Sequence, residues 1–370
     1  MATDHGVAPL LHKRLRQSGA RASVPADVRE RLRLAYLASA ARNTRRYQEL
    51  GPVLRCLRSS GIPVIVLKGA YLAEAVYGDV ALRPMGDADL MIPRTELSKA
   101  QAVLLDMSGA HQQFVDIESH CRTGHQLPAV VIRGFTIEIH WAIVSPTEPF
   151  RVDAAGLWDR ARPATIAGVE VLALSPEDLL LHLCLNCCYQ DHLVGLKSLC
   201  GVAETIRRFR GEINWTEVAE RAREWGAGRP VGLTLHLARS MLGTGVPNDV
   251  LERLVPGGLD QRMIETARQS VLAGTGYGPW VPFFQLRGVR SFGGKAKLSW
   301  KRVFLSRGQI AAMYPRSRES KHVWFYYARR LGYAIWSFGS HTLRRTWLTM
   351  RSRGRDRNLA LFNWLKSGQP

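Results

Sequence analysis

Residues 85–92 of this 370-residue chain read MGDADLMI, two carboxylates one residue apart in a short apolar run after a glycine. In an extended strand side chains alternate, so Asp87 and Asp89 share one face while Ala88 and Leu90 share the other. Carboxylates held that close repel each other and together favour a divalent cation between them. A third acid stands in FTIEIHWAI (135–143), where Glu138 sits among apolar neighbours and His140 follows on the same face. Three acids on adjacent strands can hold two Mg²⁺ or Mn²⁺ ions, the arrangement that clamps attacking and leaving oxygens in phosphoryl or nucleotidyl transfer. His140 is either an accessory ligand or proton carrier there, or a core histidine beside Trp141. Upstream, LKGA places Lys68 and Gly69 where a strand gives way to a helix, and backbone amides with a nearby ammonium suit a triphosphate. Arg83, four residues before Asp87, is a second cation for the same charge. The competing reading pairs Asp87 and Asp89 with Arg83 and Arg94, or leaves them capping the loop.

The elements that must position these groups follow from periodicity. Residues 26–58 have apolar positions at helical spacing with no breaker before Gly51, which predicts one or two helices. IPVIVLKG (62–69) is a β-branched apolar run ending at glycine, the pattern of a buried strand. AYLAEAVYGD (70–79) predicts two helical turns closed by Gly78, and DADLMI (87–92) a strand stopped by Pro93. A helix follows, with Thr95 as its N-cap, and then strand-like runs at 112–117, 127–133 and 135–141. From Ser175 to about 273 the period is helical, with breaks separating 196–210, 214–225 and 229–242. Ser175 offers an N-cap, with Glu177 and Asp178 in the first turn, where the helix dipole favours acids. The expected division is an N-terminal helical segment (1–60), an α+β core (61–142), a helical region (143–280) and a C-terminal region (281–370).

The stretch VIVLKGAYLAEAVYGDVALRPMGDADLMIPR (64–94) resembles the nucleotidyltransferases of the DNA polymerase β-like superfamily. It is most similar to the branch of uncharacterised nucleotidyltransferases, which has a strand–LKG–helix, an RPMGDxDL segment and a later ExHW strand. The similarity extends through LWDRARP, LSPEDLLLHLCL and AAMYPRSRES, most of the chain. It implies a small mixed sheet with flanking helices, followed by a mainly helical region. It implies a metal pair at Asp87 and Asp89, a third carboxylate at Glu138 and a phosphate-gripping set of Lys68, Gly69, Arg83 and Gly86. The implied reaction is metal-dependent transfer of a nucleoside monophosphate from an NTP, ATP being the expected one, to an acceptor hydroxyl. Where that branch commonly carries His and Asp, this chain has Asn186 and Gly201. A catalytically silent scaffold for a nucleotide or peptide is the alternative this resemblance allows.

Composition bounds the rest. The chain has 51 Lys+Arg against 31 Asp+Glu, net +20. Residues 281–370 hold 19 of those cations and only two acids, Glu319 and Asp356, so +17 lies there. Such a region attracts nucleic acid, an anionic membrane surface or an acidic partner. KHVWFYYARRLGYAIWSFGSHTLRRTWLTMRSRGR (321–355) interleaves aromatics with arginines, which suits stacking on single strands, an interfacial helix, or plain packing with arginines in water. RSRGRDRN (351–358) reads as mobile and solvated. No apolar run approaches the ~20 residues of a membrane span, and the first twenty residues lack a signal-peptide core. Six cysteines without regular spacing point to reduced thiols in the cytoplasm. His182, Cys184, Cys187, Cys188 and His192 crowd one apolar segment, which favours buried thiols over zinc. P-loop and nucleophile-elbow patterns do not occur.

Overall fold

A single helix of 34 residues, α2 (Ala26–Ser59), runs through Gly51 and Pro52 without a break. Gly51 lies against another backbone there: a Cβ on it would sit 3.2 Å from the Ala167 carbonyl oxygen. α1 (Ala8–Gln17) precedes it, and Arg14 Nη2 of α1 donates to both carboxylate oxygens of Glu204, each at 2.9 Å. The computed structural model describes residues 1–19, 23–108, 117–146, 148–190, 193, 195–274 and 354–366. It comprises two units, Met1–Gly276 with Gly368–Pro370, and Tyr277–Ser367.

The first unit is built on a six-stranded mixed sheet. Its strands are β1 (Ile65–Val66), β2 (Asp87–Met91), β3 (Val130–Ile132), β4 (Phe135–His140), β5 (Arg162–Ile166) and β6 (Val169–Ala173), in the order β3-β4-β2-β1-β6-β5. β2 runs parallel to β4 and antiparallel to β1, and β1 runs parallel to β6. The hairpins β3–β4 and β5–β6 are antiparallel. One face of the central strands is wholly apolar, with Ala88, Leu90, Ile137 and Ile139 buried. The strands β5 and β6 fall inside the stretch expected to be helical, and they extend the sheet on the far side of β1. Of the strand expected at 112–117, Ile117 begins helix α5 (Ile117–Thr123) and the rest lies outside the described residues.

Between the strands come α3 (Lys68–Tyr71), which passes directly into a π-turn at Leu72–Val76, then α4 (Leu97–Ser108) and α5. Gly78 takes φ +65° just past the π-turn, as expected of a stop residue. After α6 (Ala154–Asp159) and the β5–β6 hairpin, the chain turns helical: α7 (Pro176–Leu185), α8 (Leu196–Arg208), α9 (Trp215–Glu224), α10 (Gly228–Leu242), α11 (Asn248–Leu254) and α12 (Gln261–Ala273). Ser175 caps α7, its hydroxyl accepting from the Asp178 amide at 3.2 Å, a contact of the kind worth about 1 kcal/mol. Cys184 and Cys188 are buried, and the Cys188 Sγ lies 3.1 Å from Thr234 Oγ1. Burial pushes that thiol up to about 12. No helix among the described residues is long and apolar enough to cross a membrane.

In the second unit the described residues form α13 (Gly354–Lys366), so the GRDRN stretch read as mobile is helical. The aromatic and arginine-rich run before it lies outside the described residues.

Candidate active site

The site grows from the register of β2 on β4. Asp89 faces Glu138 and Asp87 faces Thr136, so the carboxylates of both strands point to the sheet face opposite the apolar one. The ligating atoms of Asp89, Glu138 and His140 all lie within 4.8 Å of one another. His140 is 1% exposed and sets its Nε2 2.9 Å from Asp89 Oδ1 and 3.5 Å from Glu138 Oε2. Lys68 adds its ammonium at 3.0 Å from the same Oδ1. Burial opposes charge on Asp89, but the His140 hydrogen bond and the Lys68 ammonium prevail and hold its carboxyl below the usual range. The imidazole of His140 likewise lowers Glu138. Asp87 goes the other way: burial, then the charges of Asp89 and Glu138, push it up.

Lys68 reaches Asp89 from an uncommon backbone, with φ +42° at the turn out of β1. A residue with a Cβ takes that left-handed conformation at a cost of roughly 1–2 kcal/mol. The glycines beside it are not required by crowding. A Cβ at Gly69 would make ordinary contact with Met85 at 3.7 Å, and one at the exposed Gly86 would meet nothing within 4 Å. Both leave a bare rim on which a ligand can lie close to backbone.

Helix α2 braces this rim with one face. Tyr36 Oη donates to Asp79, Asn43 Nδ2 donates to the Arg83 carbonyl at 2.8 Å, and Tyr47 Oη donates to the Ala70 carbonyl. Asn43 Oδ1 also accepts from the Met85 amide, so one buried side chain holds both ends of the loop entering β2. Arg46, on the next residue but two, lies within electrostatic reach of Asp87, as does Lys197 at the start of α8.

Arg83 takes partners other than the expected ones. It is 7% exposed, its Nη1 donates to the Lys197 carbonyl at 3.1 Å, and its guanidinium lies over Tyr77. A Cβ at Gly201 would stand 3.2 Å from that Nη1, so the aspartate of the resembling branch would meet this cation. Here the Arg83 Nε has no hydrogen-bond partner among the described residues. The competing sequence reading finds no support, since no ion pair among the described residues joins Asp87 or Asp89 to Arg83 or Arg94.

Two polar residues of the site, Gln126 and His125, carried no recognised signal, and a third, His182, stood out only among the residues weighed for zinc. The β3–β4 register, Val130 opposite Ile137, would put residue 126 opposite 141 if it continued. Instead Gln126 bridges to His140, a slip of one residue across Pro128, which has no amide to donate. The slip turns Gln126 onto the carboxylate face, where its Nε2 donates to Glu138 Oε2 at 2.9 Å. His125 precedes it, with its ring 5.6 Å from that of His140, and burial then His140 push it down to about 4. From α7, the fully enclosed His182 feels Lys68, Asp89, His140 and His125, and burial pushes it down to about 3. Neither of its ring nitrogens has a hydrogen-bond partner among the described residues.

With this geometry established, the comparisons become informative. The profile of a family described as uncharacterised nucleotidyltransferases matches residues 1–243. The chain belongs to that family. It is therefore a nucleotidyltransferase, with the mixed sheet and trailing helices that its sequence leads one to expect. No curated protein matches it. Among solved structures it is similar to the solution structure of antibiotic-resistance factor ANT(2'')-Ia, at 15% identity and a TM-score of 0.33, over 54% of this chain and 95% of that one.

Proposed function

We propose that this nucleotidyltransferase moves a nucleoside monophosphate from an NTP, ATP in the first instance, to an acceptor hydroxyl with release of pyrophosphate. The observation that carries the reading is the convergence of Asp87, Asp89, Glu138 and His140 on one sheet face, beside a rim of bare glycine and three cations. The donor set fits a divalent cation: carboxylate oxygens suit Mg²⁺, and the imidazole makes Mn²⁺ equally acceptable. Asp87, Asp89 and Glu138 are the ligands, with His140 as accessory. When bound there, such ions lower the pKa of an acceptor hydroxyl and clamp the attacking and leaving oxygens.

The chain's own groups do the rest. Gly69 and Gly86 let the triphosphate approach the backbone, while Lys68, Lys197 and Arg46 neutralise charge on its oxygens as the α–β bond opens. Arg83, proposed from the sequence as a phosphate ligand, acts here by fixing the loop to α8. Gln126 and His140 hold the Glu138 carboxylate in place. Six free cysteines, five of them buried, support a reducing, cytoplasmic setting. The basic region 281–370 adds an anionic macromolecule as partner, read out as binding that weakens steeply with salt.

The test is thermal stability against a panel of NTPs with and without Mg²⁺, for wild type and Asp89→Asn, followed by pyrophosphate release with candidate acceptors. A metal-dependent NTP shift that the variant loses is the expected result. Equal shifts in both proteins, or none in either, would overturn it.

A further inference from the structure

The carboxylate best placed to hold a cation already has one, and the chain supplies it. Lys68 Nζ lies 3.0 Å from Asp89 Oδ1, with the two side chains only 17% and 5% exposed. His140 Nε2 takes the same oxygen at 2.9 Å. Both hydrogen bonds fall on Oδ1, and the lysine is delivered to it by a backbone at φ +42° that L-residues rarely adopt. A divalent ion arriving at Asp89 would meet the full charge of an ammonium within a few ångströms, in a setting where water screens it poorly. Two residues back along the same strand the picture reverses. Asp87, on the same face, has no cation in ion-pair contact among the described residues.

A nucleotide alone meets the opposite problem, since its phosphates would face Asp87, Asp89 and Glu138 together. One movement relieves both conflicts. Lys68 carries its charge on a flexible four-carbon stem, and the neighbouring Gly69 and Gly86 put no side chain between that stem and an approaching phosphate.

Resting on the function proposed above, we propose that Lys68 is a tethered counter-ion of Asp89, drawn off by the nucleotide's phosphates, so that metal and nucleotide bind as a coupled pair. In the nucleotide-free protein the lysine neutralises Asp89 and keeps divalent ions weakly held. When the triphosphate takes the ammonium, Asp89 becomes available as a ligand, and each partner raises the affinity of the other by the same factor. Lys68 thus sets the order of assembly as well as the grip on phosphate.

The experiment is Mn²⁺ binding to the full-length protein without nucleotide, followed by the electron paramagnetic resonance signal of free Mn²⁺. Wild type, Lys68→Met and Lys68→Arg are compared. The expected result is that Lys68→Met binds Mn²⁺ about 10-fold tighter or more, within the usual range of coupling between sites, and that Lys68→Arg stays near wild type. Lys68→Gln repeats the measurement with a side chain that still hydrogen-bonds Asp89, in case the methionine variant does not fold. Mn²⁺ affinity no higher in the folded neutral variants than in wild type would overturn the proposal. A separate arm adds the non-transferable analogue α,β-methylene-ATP and reads thermal stability. If wild type shows no Mn²⁺-dependent shift with it, the nucleotidyl-transfer site itself is misassigned. If that shift is present while Lys68→Met gains nothing, only the counter-ion role falls.

Discussion

Two aspartates are buried among the described residues, and their surroundings differ. Asp178, at the start of α7, is fully enclosed and has both oxygens engaged. Arg160 Nε donates to Oδ2 and Arg221 Nη1 to Oδ1, each at 2.9 Å, and Arg160 Nη2 adds a third bond at 3.3 Å. Asp89, in β2, is nearly as buried, yet among the described residues its hydrogen bonds fall on one oxygen only. The first arrangement is closed: two guanidiniums leave no room in the pair for anything else. The second is open, with a lone pair unassigned, a neighbouring carboxylate in Asp87 that lacks a cation in contact, and a buried His182 whose nitrogens bond nothing among the described residues. A buried carboxylate with both oxygens paired has no capacity left for a ligand; one bonded through a single oxygen keeps some.

The contrast can be broken in four ways. Asp89→Asn should have the largest effect, a loss of transfer of about 10³-fold or more, with far-ultraviolet circular dichroism unchanged. Retained pyrophosphate release in that variant would place the chemistry elsewhere. Asp178→Ala should do the reverse, costing about 3–5 kcal/mol because two partly buried guanidiniums lose their partner. A drop in Tm on the order of 10 °C is expected, and a fall of only a degree would remove the distinction drawn here.

The third effect is a pH dependence. His182 has a folded value near 3 against 6.5 for the free side chain, so the folded state holds it neutral where the unfolded state takes a proton. Stability is therefore unaffected above pH 6.5 and is lost as pH falls from there toward 3, by about 1.4 kcal/mol per unit. His182→Leu should remove its share of that slope, leaving the share of His125, and leave Tm at pH 7 equal or higher, since a buried group without partners among the described residues is exchanged for an apolar one. A variant that melts lower at pH 7 would mean the imidazole is satisfied after all. The smallest effect belongs to Asp87→Asn. Burial and then the charges of Asp89 and Glu138 disfavour its carboxylate, so the variant should melt roughly one or two degrees higher while losing its metal-dependent nucleotide shift.

What could be seen beforehand tracks the range over which each signal acts. Asp87 with Asp89, and Glu138 with His140, were legible because a strand's period of two is local and shows on the page. Ser175 was legible as a cap for the same reason. β5 and β6 were not: RPATIAGVEVLA places Arg162, Pro163 and Glu170 in exposed positions, and an edge hairpin buries too little to alternate clearly. Its one signal was the Ala167–Gly168 pair, which takes the positive φ values of a two-residue hairpin turn. Arg46, Lys197 and His182 sit on helices whose own periodicity says nothing about which strand they approach. Asn43 looked like an ordinary helix residue, and only the closed loop shows that it holds both ends of the entry to β2.

Pro128 deserves a last consequence. Because the strand containing it is offset by one position relative to the β3–β4 turn, the polar content of the site depends on counting, much as a message depends on its reading frame. Removing or adding a single residue between Leu127 and Val130 would rotate Gln126 to the apolar side without altering any residue that touches a carboxylate. The surroundings of Glu138 are thus set by the length of this segment as well as by the identity of its residues.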